Sequence, residues 1–402
     1  MQTRILCYDS ERVKRLHSSL GYDCGVSEFE AETENSALKE KIAARIRGEG
    51  PISFRDFMAM ALYEPGLGYY TSDRVVLGRQ GDYLTSPEVS PVFGAMVGRQ
   101  LREMWEALGS PGDFHVVEAG GGSAALARDI LTWARRVAPE MLAAIHYTIV
   151  EISATLENRQ RNRLEAEGFA EKVRWEPALL TEVEGVILSN ELLDAFPVHL
   201  VTVKNGRMQE VHVIAEGDRF QEIPREPRRE VSAHLESIGI QLTEGVRAEV
   251  NLDSITWMRT AARALRRGFV ITIDYGYEAA DLYAPWRTDG TLLCFYRHNP
   301  GHDPYVRVGK QDMTSHIDLT AVRRAGEEAG LATLGLVSQS QFLTNLGIGE
   351  ALQPPEGGDL EGYFARRRAV TELLDPAGLG RISVLIQARG MGQVKLTGMR
   401  HD

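Results

Sequence analysis

Phe114-His-Val-Val-Glu-Ala-Gly-Gly-Gly-Ser123 joins an apolar run to an acid and then to three glycines. A strand that ends in a carboxylate, turns on glycines and gives way to helical spacing over residues 124–136 has the pattern of the first β-α unit of a nucleotide-binding sheet. Glycine suits such a turn because a side chain would hold the backbone away from a cofactor. A turn that only links strand to helix would look the same locally, so the rest of the chain must decide.

The spacing Gly120-x-Gly122-x-x-Ala125 also fits the dinucleotide fingerprint, in which pyrophosphate rests on a helix N-terminus. The glycines therefore admit both NAD and S-adenosylmethionine. Glu118 favours the second, because a carboxylate two residues before the first glycine repels pyrophosphate and suits a ligand carrying ammonium and sulfonium charges.

The 402 residues, 43% of them hydrophobic, can bury a large core and fit one elaborated domain or a domain with a cap. No apolar run approaches the ~20 residues needed to span a bilayer, and residues 1–20 lack a signal peptide's apolar centre. A reducing compartment is expected: the bacterial cytoplasm, with the mitochondrial matrix as the alternative. Cys7, Cys24 and Cys294 are too few and too scattered for a disulfide framework or a zinc site. A net charge of -11 disfavours free nucleic acid as a partner. It suits a partner presenting a basic side chain, though ordinary solubility is the stronger account of it.

Residues 1–36 show no sustained period and read as a loosely held extension. Helical spacing follows over residues 38–46 and again after Ser53, a plausible N-cap, so residues 37–110 read as a helical segment that includes an amphipathic helix over 91–108. Residues 111–402 form the main domain. Apolar strands at 145–150, 185–188 and 269–273 alternate with helical segments at 154–167 and 254–267, which indicates an α/β fold with a mostly parallel, Rossmann-like sheet and helices on both faces. Two insertions interrupt it. Residues 198–253 carry short alternating strands around Asn205-Gly206 and Glu216-Gly217, both hairpin signals. Residues 275–310 are long for a plain loop and are expected to cover the site. A helix at 319–329, a strand at 333–337, a helix at 360–374 and a strand at 382–388 complete the chain.

In open sheets of this class ligands bind beyond the carboxyl ends of the strands. Glu151 ends the second strand, where a carboxylate accepts ribose hydroxyls or is simply solvated. The fourth strand runs into Ser189-Asn-Glu-Leu-Leu-Asp-Ala-Phe-Pro197, whose polar residues either grip an acceptor or cap a short helix. Pro197 leaves little room for a helix. Asp274 ends the fifth strand. His316 has no metal-ligand spacing and is either a packed loop residue or a catalytic base. Asp318 either caps the helix at 319 or contacts substrate.

Taken together, Tyr63-Glu-Pro-Gly-Leu-Gly-Tyr-Tyr70, Gly81-Asp-Tyr-Leu-Thr-Ser-Pro-Glu-Val-Ser90, Ser189-Asn-Glu-Leu-Leu-Asp-Ala-Phe-Pro-Val198, Ile273-Asp-Tyr-Gly276 and Gln311-Asp-Met-Thr-Ser-His-Ile-Asp318 resemble the MidA-type methyltransferases over residues 52–348. The family's glycine motif reads Glu-Leu-Gly-Pro-Gly-Arg-Gly-Thr-Leu; here Ser123 stands for the arginine and Ala124 for the last glycine. The resemblance implies a class I methyltransferase fold and S-adenosylmethionine-dependent methylation of a protein. In the mitochondrial members, assembly factors of respiratory complex I, the acceptor is an arginine. It further implies that Glu118, Gly120, Gly121, Gly122, Glu151 and Asn190 hold the cofactor, with Asp82, Thr85, Ser86 and Glu88 lying over it. Glu191, Asp194, His316 and Asp318 would serve the acceptor, and no metal is required. Homodimer formation stays open. The competing readings are an NAD(P)-dependent oxidoreductase on the same glycine turn and a non-catalytic assembly factor that keeps a cofactor pocket.

Overall fold

The computed structural model describes residues 35–73, 78, 81–82, 84–353 and 360–400. The extension expected over residues 1–36 lies, up to residue 34, outside the described residues, as do Cys7 and Cys24.

Seven strands form the central sheet: β1 (Phe114–Ala119), β2 (Ile145–Val150), β3 (Val173–Glu176), β4 (Val183–Asn190), β5 (Leu265–Asp274), β6 (Ala332–Ser338) and β7 (Ser383–Arg389). Their order is β3-β2-β1-β4-β5-β7-β6. β1 pairs in parallel with β2 and β4, and β4 in parallel with β5. β7 is antiparallel to both neighbours. The dinucleotide order 3-2-1-4-5-6 is thus interrupted by a reversed strand. β1 lies inside the sheet, so its carboxyl end and the glycine turn face a crevice between β2 and β4.

Apolar residues of successive strands alternate between two covered faces, as parallel sheets require. Val116, Leu188 and Ile271 pack against Phe93 and Val97 of α3 (Pro91–Ala107) and Ile130 of α4 (Ala125–Val137). Val117, Ile187 and Val270 pack on the other side against Met258 of α6 (Leu252–Ala264) and Val322 of α7 (Leu319–Glu328). α5 (Ala154–Ala166) follows β2. The helix expected over residues 254–267 lies at Leu252–Ala264 instead. Asn251 caps it through Ser254 N, and the fully buried Leu265 already pairs with Val183 in the sheet.

Ahead of the sheet, α1 (Ser36–Glu49) and α2 (Phe54–Tyr63) bury Leu38, Ile42, Phe57 and Met58 against Leu200, Val211 and Val213. These last three belong to a second, antiparallel sheet built from His199–Lys204, Arg207–Glu216, Arg219–Arg225 and Arg247–Val250. The two-residue strand Ile52–Ser53 joins its edge. Its hairpins turn at Asn205-Gly206 and at Gly217, all with positive φ. A smaller antiparallel sheet pairs Leu293–Tyr296 with Asn299–Gly301 and Asp312–Thr314. Among the described residues no helix is long and apolar enough to cross a membrane.

Candidate active site

At the end of β1, Gly120 and Gly122 take positive φ values of 72° and 52°, a conformation that L side chains resist. A Cβ on Gly120 would also stand 2.8 Å from Leu192 Cδ1. Ala124, in place of the family's third glycine, adopts the same left-handed region (φ 62°) and keeps the turn closed by donating to Gly121 O at 2.7 Å. Ser123 hydrogen-bonds Glu88, while Arg163 from α5 donates to Ser123 O and Oγ at 2.9 and 2.8 Å. Gln160, also on α5, donates to both Gly122 O and Glu151 Oε2 at 2.9 Å. One side chain thereby ties the glycine turn to the acid of the next strand.

Glu118 is 2% exposed and accepts the Tyr147 hydroxyl at 2.6 Å. Burial, reinforced by the nearby Glu151, pushes its carboxyl up to about 8. Glu151 is raised for the same first reason, although Ser153 N and Gln160 partly offset the effect. Two buried acids in one crevice, neither with a cation of the described residues among its leading influences, make a receptor for positive charge.

The β4 exit is set by a carboxylate on the neighbouring strand. Asp274 Oδ2 accepts Leu192 N and Leu193 N at 3.2 and 2.8 Å, and its Oδ1 accepts Tyr275 N at 2.8 Å. No helix follows Asn190: Glu191 enters the left-handed region (φ 49°) and the chain turns. Glu191 Oε1 accepts Ser86 N and Asn190 Nδ2 at 3.1 and 3.0 Å. Burial drives Glu191 up to about 8, Asp274 and Asp312 each to about 7, and Asp194 well above its ordinary range. The mutual repulsion of Asp274, Glu191 and Asp312 adds to the rise at Asp194. Among the described residues no arginine, lysine or histidine is a leading influence on any of these four carboxyls.

Three adjoining cavities share Glu191. A small cleft of about 70 Å³ is lined by Thr85, Glu88, Glu118, Gly120, Gly121, Gly122, Asn190 and Glu191. A chamber of about 510 Å³ runs from Gly120 and Glu151 past Ile152 and Leu192 to Tyr63, Tyr70, Phe196 and Trp257. A third, of about 290 Å³, is lined by Tyr70, Asp82, Glu191, Asp194, Tyr275, His316 and Arg381. His316 stacks on Tyr275 at 5.9 Å. Burial, with Arg381 and Arg287 nearby, lowers its pKa to about 4, so the imidazole is neutral.

The structure thus gathers most of the residues singled out from the sequence, in two groups. Glu118, Gly120, Gly121, Gly122, Asn190, Thr85 and Glu88 line the small cleft, and Glu151 the chamber beside it. Asp82 stands with Asp194 and His316 in the third cavity, away from the glycine turn. The Ser86 side chain is fully buried on Gln339 (2.8 Å), leaving only its N–H for Glu191. Asp318 lines none of the three cavities. Its Oδ1 caps α7 through Ala321 N at 2.9 Å, and its Oδ2 lies 3.8 Å from His234. Tyr63, Tyr70, Asp312, Gln160 and Trp257 belong to the site or its supports but had no role in the sequence reading. The tyrosines and Asp312 lay within quoted motifs, which was the available signal.

A family model described as "Putative S-adenosyl-L-methionine-dependent methyltransferase" matches residues 96–337. The chain belongs to this MidA-type methyltransferase family. A solved structure from Burkholderia thailandensis, described as a candidate methyl transferase bound to S-adenosyl-homocysteine, superposes on the methyltransferase with a TM-score of 0.85 at 34% identity. It covers 94% of this chain and 97% of that one. The curated Drosophila melanogaster "Protein arginine methyltransferase NDUFAF7 homolog, mitochondrial" is 31% identical over 87% of this chain and 84% of its own. The human NDUFAF7 protein is 27% identical over 79% and 75%. The methyltransferase's cofactor is S-adenosylmethionine. The residues present fit it: among the described residues no cation is a leading influence on buried Glu118 and the buried Asn190 Oδ1 has no hydrogen-bond partner, and Glu151 stands where ribose hydroxyls would be received.

Proposed function

We propose that this methyltransferase modifies a protein side chain, an arginine, with a respiratory complex I subunit or related partner as the acceptor protein. The observation that carries the reading is the third cavity: it adjoins the donor side through Glu191 and Tyr70 and presents Asp82, Glu191 and Asp194. A planar guanidinium is held best by carboxylates in paired hydrogen bonds, and its charge offsets the cost of keeping those acids out of water. The names of the curated relatives support the same acceptor. The bacterial cytoplasm is the proposed compartment, with the mitochondrial matrix as the alternative; the relatives come from both kinds of source.

When bound, S-adenosylmethionine supplies a methyl carbon whose bond to a cationic sulfur breaks as an incoming nitrogen bonds to it, the electron pair passing to sulfur. Glu191 is fixed by Ser86 N and Asn190 at the junction of the cavities, so it aligns the acceptor toward the donor cleft. The guanidinium nitrogen loses a proton as it is methylated. Glu191, raised by burial to about 8, is in its ionised form a base matched to accept it near neutral pH.

The test is incubation of the enzyme and a methyl-labelled donor with bacterial lysate, with a Gly120→Val control and acid hydrolysis of the labelled band. Labelled methylarginine supports the proposal. Label recovered on another residue, or no band above the control, overturns it.

A further inference from the structure

Among the described residues, Tyr70 and Glu191 line both the chamber containing Glu151 and the acid-lined cavity beyond it. A methyl group passing between the two cavities passes beside these side chains, with the sulfur it leaves on the donor side.

Described residues hold Tyr70 by its ring and by its hydroxyl. Tyr63 stacks on it with centroids 5.5 Å apart and planes 20° from parallel. Tyr69 meets it edge-on at 4.9 Å. Its hydroxyl donates to Asp312 Oδ1 at 2.7 Å. Tyr63 is itself fixed through its hydroxyl to Ala195 O at 2.9 Å, on the loop that carries Glu191 and Asp194. Asp312 is fully buried, and no cation among the described residues balances it. A phenol that donates to a carboxylate has a more electron-rich ring, and an electron-rich ring attracts a cation at its face.

We propose that Tyr70 is a cofactor-contacting residue that reads the positive charge on sulfur, and that Asp312 is the positioning residue that fixes and polarises its ring. The contact favours the charged donor over the spent, neutral thioether, and so helps product leave after transfer. The inference goes beyond the proposed arginine acceptor and does not depend on it.

The experiment compares the affinities of S-adenosylmethionine and S-adenosylhomocysteine by calorimetry, with no acceptor present. Tyr70→Leu is expected to weaken the methylated, charged ligand about three- to thirtyfold while changing the neutral one less than about twofold. Tyr70→Phe, which keeps the ring, is expected to retain most of the wild-type affinity ratio, and Asp312→Asn to lower that ratio partway. Thermal melts confirm folding, and Tyr70→Met, closer in volume, replaces the leucine variant if that one fails to fold. A merely structural role would weaken both ligands by the same factor. That result, or an unchanged ratio in Tyr70→Leu and Tyr70→Met, overturns the proposal.

Discussion

Glu191→Gln is expected to make the ligand-free enzyme more stable and less active. The Glu191 carboxyl rises from 4.5 to about 8 because it is buried, with Asp274 adding repulsion. In the unfolded chain it ionises at its ordinary value. Between the two values the folded state holds a proton that the unfolded state has released, so this group's contribution to stability falls as pH rises through that window. At pH 7 the gap from the ordinary value is about 2.5 units, or about 3 kcal/mol at about 1.4 kcal/mol per unit. Glu191 keeps some contact with cavity water, so roughly half should survive screening, about 1.5 kcal/mol. Glutamine removes this cost, while its Oε1 can still accept Ser86 N and Asn190 Nδ2. Urea denaturation of both proteins from pH 5 to 8 measures the difference. The curves should nearly meet at pH 5 and separate by about 1–2 kcal/mol by pH 8. Turnover should fall with cofactor affinity nearly unchanged. A variant no more stable than wild type at pH 8, or a gap that shrinks as pH rises, would refute the argument that this carboxylate is held in place against its own solvation.

The remaining expectations concern the donor cleft and its supports. Gly120→Val combines a disfavoured φ of 72° with a Cβ 2.8 Å from Leu192, so calorimetry should show cofactor affinity reduced at least about 100-fold; Gly122→Val should act alike, and equal losses of affinity in Glu191→Gln would contradict the division of roles. Asp274→Ala leaves Leu192 N, Leu193 N and Tyr275 N without their acceptor; urea unfolding should show a loss of about 2–4 kcal/mol, and a loss below about 1 kcal/mol would mean that the turn holds without it. For Glu118, held near 8 by burial, a bound cation favours the ionised form. Cofactor affinity should therefore rise with pH up to about 8, with proton release measurable at pH 7 by calorimetry in two buffers. Glu118→Gln should flatten that rise.

The central sheet was legible because its signals are local. Each buried parallel strand is an apolar run, and the acid–glycine turn after β1 is contiguous in sequence, so the strand at 145–150 was delimited to the residue. Position 265 was not legible, since an apolar residue after a helical stretch fits either a longer helix or the start of a strand. Only pairing with Val183, more than 80 residues away, decides it. Ile52–Ser53 gives no strand pattern of its own and becomes one through a partner at Val213. Asp318 showed the opposite problem. An acid between a strand and a helix serves equally as cap or ligand, and the unmet N–H of Ala321 took it. Tyr70 lies about 50 residues before the glycine turn, and its bond to Asp312 spans 242 positions. No spacing rule reaches that far.

The loop after β4 explains why the site needs acids beyond those that meet a ligand. Glu191 carries a side chain at a φ that disfavours one, a cost of order 1–2 kcal/mol. Glycine would relieve that strain and delete the carboxylate on which all three cavities meet. The conformation must therefore be imposed from outside the loop, and Asp274, at the top of β5, supplies the means by accepting the backbone N–H groups of Leu192 and Leu193 while its other oxygen accepts that of Tyr275. Asp274 is buried for that purpose and raises Asp194 and Glu191 through its own charge. Asp274 thus contributes both to the geometry that presents the acids and, after burial, to the rise in their pKa values. These buried carboxyls hold protons in the ligand-free fold and can give them up when a cation enters, which is the physical reason for expecting ligand binding and stability to be coupled here.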